Sequence, residues 1–389
     1  QINALDLGLR RMTALLDEYG DETVSEALAE LRNRAATLMA ANIAELPDGT
    51  YSAEDFLDND GIVDMPLKIA LDLSIKGDRM VLDFSRSAKA CAGPVNIALS
   101  TAVASVYVAI KHVFTDVPAN GGVLEPIETI IPDDSLLSVR APKPVGGYTE
   151  TILRIIDVIF CAIAQVAPER VNGCAYGTIN ALSLAGHRQN NSRWVMFSFF
   201  GGGHGGHPKG DGLNHGNAPI STATIPPAEI LEAAYPVIFT QWALRPDSGG
   251  PGRHRGGLGA VYEIELLEET ANAFVFGERG KFGPPGVLGG GPGARNVFRY
   301  EQDDGYYHPP QISKMVGIKI TRGQHLRLET PGGGGYGAAN QRDPKAVARD
   351  VSLGYVTAAR AETDYLVRLD AHGDPDIPAT QRLRKAAQS

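Results

Sequence analysis

Apolar residues between Ala4 and Ala44 recur at helical spacing in two stretches separated at Tyr19-Gly20, a pattern that predicts a helical hairpin with Asp21 capping its second arm. From Gly49 to Ser87 the rhythm shortens to alternation. Ile69 to Ser74 and Arg79 to Phe84 then read as a β-hairpin turning at Lys76-Gly-Asp78. Helical spacing returns from Asn96 to Phe114, Ile127 to Ile131 reads as a strand, and Glu150 to Ala167 is apolar enough to be a buried helix.

Beyond Ala167, strand-like runs at Trp194–Phe200, Ala260–Leu266 and Asn272–Phe276 are separated by loops too long for simple hairpins, which marks those loops as functional candidates. Lys314 to Leu328 alternates around Arg322-Gly323, and Asp343 to Arg360 predicts a closing helix. The expected fold is α+β. A mixed body over residues 1–190 precedes a β-rich, glycine-laced lobe over 191–389.

Three glycine blocks dominate that lobe: Gly201 to Gly212, Asp247 to Gly259 and Pro331 to Gly337. With further stretches they carry a family resemblance. Leu46-Pro-Asp-Gly-Thr-Tyr51, Leu57-Asp-Asn-Asp-Gly61, Val81-Leu-Asp-Phe-Ser85, Gly93-Pro-Val-Asn96, Val117 to Gly122, Pro144 to Glu150 with Arg154, Asp350-Val351 and Gly354-Tyr355 follow in the same order. The chain resembles the B-type subunit of the hydantoinase/5-oxoprolinase group, to which the large subunits of acetone and acetophenone carboxylases are related.

That resemblance implies one part of an ATP-dependent enzyme that opens a cyclic amide through a phosphorylated intermediate formed with an A-type partner subunit. A ketone carboxylase subunit and a non-catalytic scaffold are the alternatives it leaves open. It also implies that Gln1 lies well inside a longer subunit, with a missing N-terminal B-type portion carrying the ligands of a divalent metal, Zn or Mn, and with ATP and Mg on the partner. No residue here inherits a ligand role by motif.

The composition narrows the setting. A net charge of -9 excludes the basic face that nucleic acid requires. No apolar run reaches membrane-spanning length, and cytoplasm is the expected compartment. Cys91, Cys161 and Cys174 have no CxxC spacing and read as reduced thiols, with Cys161 on an apolar helix face.

The candidate chemistry sits in the loops. His204, His207, Asp211 and His215 supply ligand and proton-transfer types, so this loop is expected to hold a metal, face a substrate or partner, or form a surface turn. His204 and Asp211 are its catalytic candidates, and His207 a binding candidate. Arg253 and Arg255 suit a carboxylate or phosphate, or else an ion pair with Asp247 or Glu229 that pins the loop. Asn96 is a substrate-contact candidate by resemblance, although Arg86 and Ala88 depart from the family's small polar residues beside it. Gly332 to Gly335 lacks the rhythm of a dinucleotide fingerprint or a P-loop and suits close backbone packing or a subunit contact. Glu278, Arg279 and Lys281, in Gly277 to Gly283, suit an anion path or a solvated turn.

Overall fold

The computed structural model describes residues 1–221 and 224–387. The chain runs through α1 (Ile2–Tyr19), α2 (Asp21–Ala44), β1 (Gly49–Leu57), β2 (Leu67–Lys76), β3 (Arg79–Asp83), α3 (Leu99–Val113), β4 (Ile127–Ile130) and α4 (Tyr148–Ile163). It continues through β5 (Ala181–His187), β6 (Arg193–Phe199), α5 (Ala228–Ala234), β7 (Val237–Leu244), β8 (Ala260–Leu266), β9 (Thr270–Phe276), β10 (Val297–Gln302) and β11 (Gly305–Tyr307). Last come β12 (Lys314–Thr321), β13 (His325–Glu329), α6 (Pro344–Ser352), α7 (Ala358–Tyr365) and α8 (Ile377–Ala386). The fold is α+β.

The helical break falls at Gly20, whose φ of 81° few other residues tolerate. Gly20 is therefore the N-cap, and Asp21 is the first residue of α2, not its cap. On α1 the residues Ile2, Leu5, Leu9, Met12, Leu16 and Tyr19 alternate spacings of three and four, yet the helix buries none of its residues. The body forms around a sheet of order β1-β2-β3-β4, antiparallel except between β3 and β4. Leu67, Ile69, Leu71, Leu73 and Ile75 of β2 meet the apolar sides of α3 and α4 in one core. The alternating buried side chains of β2 suit a strand with one face covered by helices.

Two further sheets, β11-β10-β13-β8-β7 and β12-β9-β5-β6, face each other as a sandwich. Leu182, Leu184, Met196 and Val275 from one meet Tyr262, Ile264, Phe298 and Leu328 from the other. The two strands around Arg322-Gly323 are not partners: β12 pairs with β9, and β13 lies between β8 and β10. The expected closing helix is divided at Gly354, φ 72°, into α6 and α7.

Five glycine-rich segments run extended against one another. Residues 173–177, 202–216, 248–259, 284–293 and 331–337 exchange backbone hydrogen bonds, including Tyr176 N–H to Gly203, Gly203 N–H to Pro331, Gly257 N–H to His204, Gly333 N–H to Gly257 and Gly335 N–H to Gly291. A Cβ on Gly205 would lie 1.7 Å from the Gly173 carbonyl oxygen, and one on Gly256 would lie 1.9 Å from that of Gly333. Neither glycine has a positive φ. Their lack of a side chain, not backbone freedom, is what the position demands. The run Gly332 to Gly335 thus serves close backbone packing.

Candidate functional site

The histidine loop is woven into this glycine bundle. His204 places Nε2 2.6 Å from the Asn217 carbonyl, to which a protonated Nε2 donates, and burial lowers its pKa so that the ring is neutral. The half-exposed His207 accepts the Lys209 N–H through Nδ1 at 3.3 Å. Burial by itself would raise the Asp211 carboxyl. Arg342 reverses this, donating to both carboxylate oxygens at 2.6 and 2.7 Å, and the Arg255 N–H adds a bond of 2.7 Å. This carboxylate is ionised and occupied by protein donors.

His215 turns away from these groups. Its backbone is left-handed, with φ 51°, and Nε2 accepts from the Tyr262 hydroxyl and, at 3.3 Å, from the Trp242 indole N–H. Burial lowers its pKa. The ring forms the floor of an open groove of about 560 Å³, walled by Trp242, Ile225, Pro226, Pro227 and Glu229. The metal reading of the loop is thereby overturned: its imidazoles and carboxylate do not converge. No three His, Cys, Asp or Glu side chains come together to hold a metal ion among the described residues. They do not fit Zn or Mn.

The arginines separate. Arg255 is 3% exposed, with Nε 3.5 Å from Asp350 and its guanidinium 5.3 Å above the Tyr355 ring. It is pinned, but by Asp350 rather than Asp247 or Glu229; Asp247 instead accepts the Thr357 N–H. Arg253 is exposed beside the Tyr336 ring and remains available to an anion. Asn96 is fully buried, donating to the carbonyls of Cys91, Gly93 and Pro144 while its oxygen accepts the Cys91 N–H. Its carboxamide holds a loop together and leaves no face for substrate, which corrects the expected contact.

The expected solvated turn at Glu278 and Arg279 is instead buried, each side chain being 1% exposed. Arg279 Nη2 lies 2.7 Å from Asp55 and 2.6 Å from Asp157, and Arg154 Nη1 lies 3.1 Å from both. Two guanidiniums and two carboxylates form a neutral quartet between β1, α4 and the segment after β9. Beside it Glu278 pairs with Lys314 and accepts the Asp58 N–H, while Asp58 accepts the N–H groups of Gly280 and Lys281. Burial pushes the Asp157 and Glu278 carboxyls up, and the cations beside them, Arg154 and Lys314, pull them back down. Glu150, fully buried, is raised to about 7, and one of its oxygens accepts the Ile179 N–H. Sequence reasoning missed this cluster. Its signal was the series Glu150, Arg154 and Asp157, spaced four and three apart on one side of an otherwise apolar helix.

Comparison with known proteins places this architecture. The family model described as Hydantoinase B/oxoprolinase matches residues 1–339. The B-type subunit of a putative D-/L-hydantoinase from Pseudomonas sp. is 27% identical over 99% of the chain and 67% of its own length. An uncharacterised Methanocaldococcus jannaschii protein is 30% identical, with the same coverage. The crystal structure of an ATP-dependent caprolactamase from Pseudomonas jessenii superposes with a TM-score of 0.88 at 27% identity, over 99% of this chain and 68% of that one. A nucleotide-free acetone carboxylase shares the fold, with a TM-score of 0.85 at 20% identity over 97% of this chain and 57% of that one. The chain spans about two thirds of the relatives it matches from end to end.

Proposed function

We infer function from family, since the chain belongs to the hydantoinase B/oxoprolinase family, and propose that it forms part of the B-type subunit of an ATP-dependent cyclic-amide hydrolase. The superposition on an ATP-dependent caprolactamase over 99% of the chain carries this reading. The likeness to the carboxylase, at 20% identity, speaks for fold alone. An amide oxygen is a poor leaving group, and phosphorylation of the substrate carbonyl oxygen turns it into a good one. An A-type partner would bind ATP and Mg for that step, because this sequence has neither a P-loop nor a dinucleotide fingerprint.

In this scheme the chain is chiefly the frame of the subunit. His204, Asp211, Arg255 and Asn96 are engaged by protein groups, which favours structural roles for them. The groove over His215 and Trp242 and the exposed Arg253 are where small-molecule or partner chemistry would reach it. A divalent metal, Zn or Mn, belongs in this proposal to the complete subunit and not to these residues. The compartment proposed is the cytoplasm.

The complex with its A-type partner tests the reading when supplied with ATP and a lactam or a hydantoin. ADP release coupled to formation of an amino acid or carbamoyl amino acid is expected. Labelled bicarbonate fixed into acid-stable product from a ketone, without ring opening, would transfer the chain to the carboxylases. Replacing Arg253 with Ala is expected to weaken substrate or partner binding without lowering stability.

A further inference from the structure

Cys161 and Cys174 lie far enough apart in sequence to belong to different structural units, yet their sulfurs are 3.7 Å apart. Cys161 sits on α4, one turn after Asp157, and is half-buried. Cys174 is buried in the first glycine-rich segment, where its N–H donates to Pro285 and its carbonyl accepts the Gly334 N–H. From this juxtaposition we propose that the two thiols form a reversible, peroxide-driven disulfide that ties α4 to the glycine bundle. A sulfur–sulfur bond is about 2 Å long, so small side-chain rotations would close the gap.

The two sulfurs have different parts in the reaction. The hydrogen bond to Cys161, with burial, pushes the Cys174 thiol well above its usual range and keeps it protonated. The more accessible Cys161 therefore meets the oxidant first. Its thiolate attacks one oxygen of hydrogen peroxide, the O–O bond breaks, and a sulfenic acid forms as hydroxide leaves and takes up the thiol proton as water. The Cys174 sulfur then attacks the Cys161 sulfur: the S–S bond forms, the S–O bond breaks, and a second water leaves with the Cys174 proton. Two thiols lose two electrons in total and one peroxide becomes two waters.

Cys91 provides an internal comparison. It is also half-buried, but its sulfur faces the Gly93 carbonyl and the Asn96 oxygen rather than a second sulfur. It can be oxidised but has no partner with which to resolve. The bond between Cys161 and Cys174 would join the helix carrying Arg154 and Asp157 to the backbone next to Gly177, whose carbonyl accepts from Arg154. It would brace the contact that the buried ions already make.

The test treats the full chain, in its native assembly, with hydrogen peroxide, and reads intact mass, peptide linkage and melting temperature. The expected result is a loss of about 2 Da for one disulfide, a linked peptide pair containing Cys161 and Cys174, a raised Tm, and reversal of all three by a thiol reductant. Cys91→Ser is expected to keep the linkage and Cys161→Ser to abolish it. Sulfinic acid at Cys161 with Cys174 still a free thiol, in the peptide map of the unsubstituted protein, would overturn the proposal, as would oxidation confined to Cys91. That map requires no variant, so a substitution that fails to fold leaves the result readable.

Discussion

The ion quartet around Arg154 and the glycine bundle lie next to each other but hold the chain by opposite means. In the quartet, long side chains from β1, α4 and the segment after β9 reach a common point, and charge neutrality makes their burial tolerable. In the bundle the backbones themselves touch, and at glycines such as Gly205 and Gly256 a side chain would intrude. One region depends on what its side chains carry. The other depends on the positions that carry none.

The largest expected effect breaks the bundle. Gly205→Ala drives a Cβ onto the Gly173 carbonyl, where only backbone could give way, and is expected to cost about 4 kcal/mol or more. Gly317→Ala, in open space at a φ of 69°, should cost only about 1 kcal/mol. Denaturant unfolding of both variants compares them. Equal losses would show that crowding is not what selects these glycines.

Arg279→Met attacks the quartet next. It leaves Asp55 and Asp157 buried with a single guanidinium, an expected loss of roughly 3–5 kcal/mol. Adding Asp157→Asn should recover part of that loss by removing the surplus charge, and a double-mutant cycle measures the recovery. Additive losses would mean that the quartet acts through packing rather than charge.

Asp211→Asn weakens the bidentate Arg342 contact at the edge of the bundle, for an expected loss of about 1–3 kcal/mol. Turnover per folded complex should be unchanged. A fall in kcat at unaltered Tm would instead make Asp211 a participant in the chemistry.

A last effect is a matter of pH. The folded protein holds the Glu150 proton to about 7, whereas the ordinary value for glutamate is 4.5, so folding favours the protonated form. The resulting stabilisation is complete below 4.5 and is lost as pH rises through about 7. Glu150→Gln keeps the shape and removes the titration, so the difference in stability between the two proteins should change across that window. A constant difference from pH 4.5 to 8 would place the Glu150 pKa near its ordinary value.

Most regular elements were legible in the sequence because their information is local. The alternation in β2 and the apolar helix α4 follow directly from which side of each element is covered. The histidine loop shows where legibility ended. Spacing placed His204, His207, Asp211 and His215 near one another along the chain, but the backbone bonds of the bundle point them to Asn217, Lys209, Arg342 and Tyr262. Arg279 failed in the other direction. Flanked by glycines and polar residues it resembled a surface turn, because the carboxylates that receive it are 224 and 122 residues away.

The sequence by itself determined the α+β class, most element positions and, through the order of its motifs, the family. Tertiary structure alone decided which glycines touch backbone, which charges are buried and which candidate side chains are already occupied. The physical reason is range: periodicity and turn chemistry act over a few residues, whereas desolvation, ion pairing and steric exclusion depend on neighbours brought together only when the chain has folded.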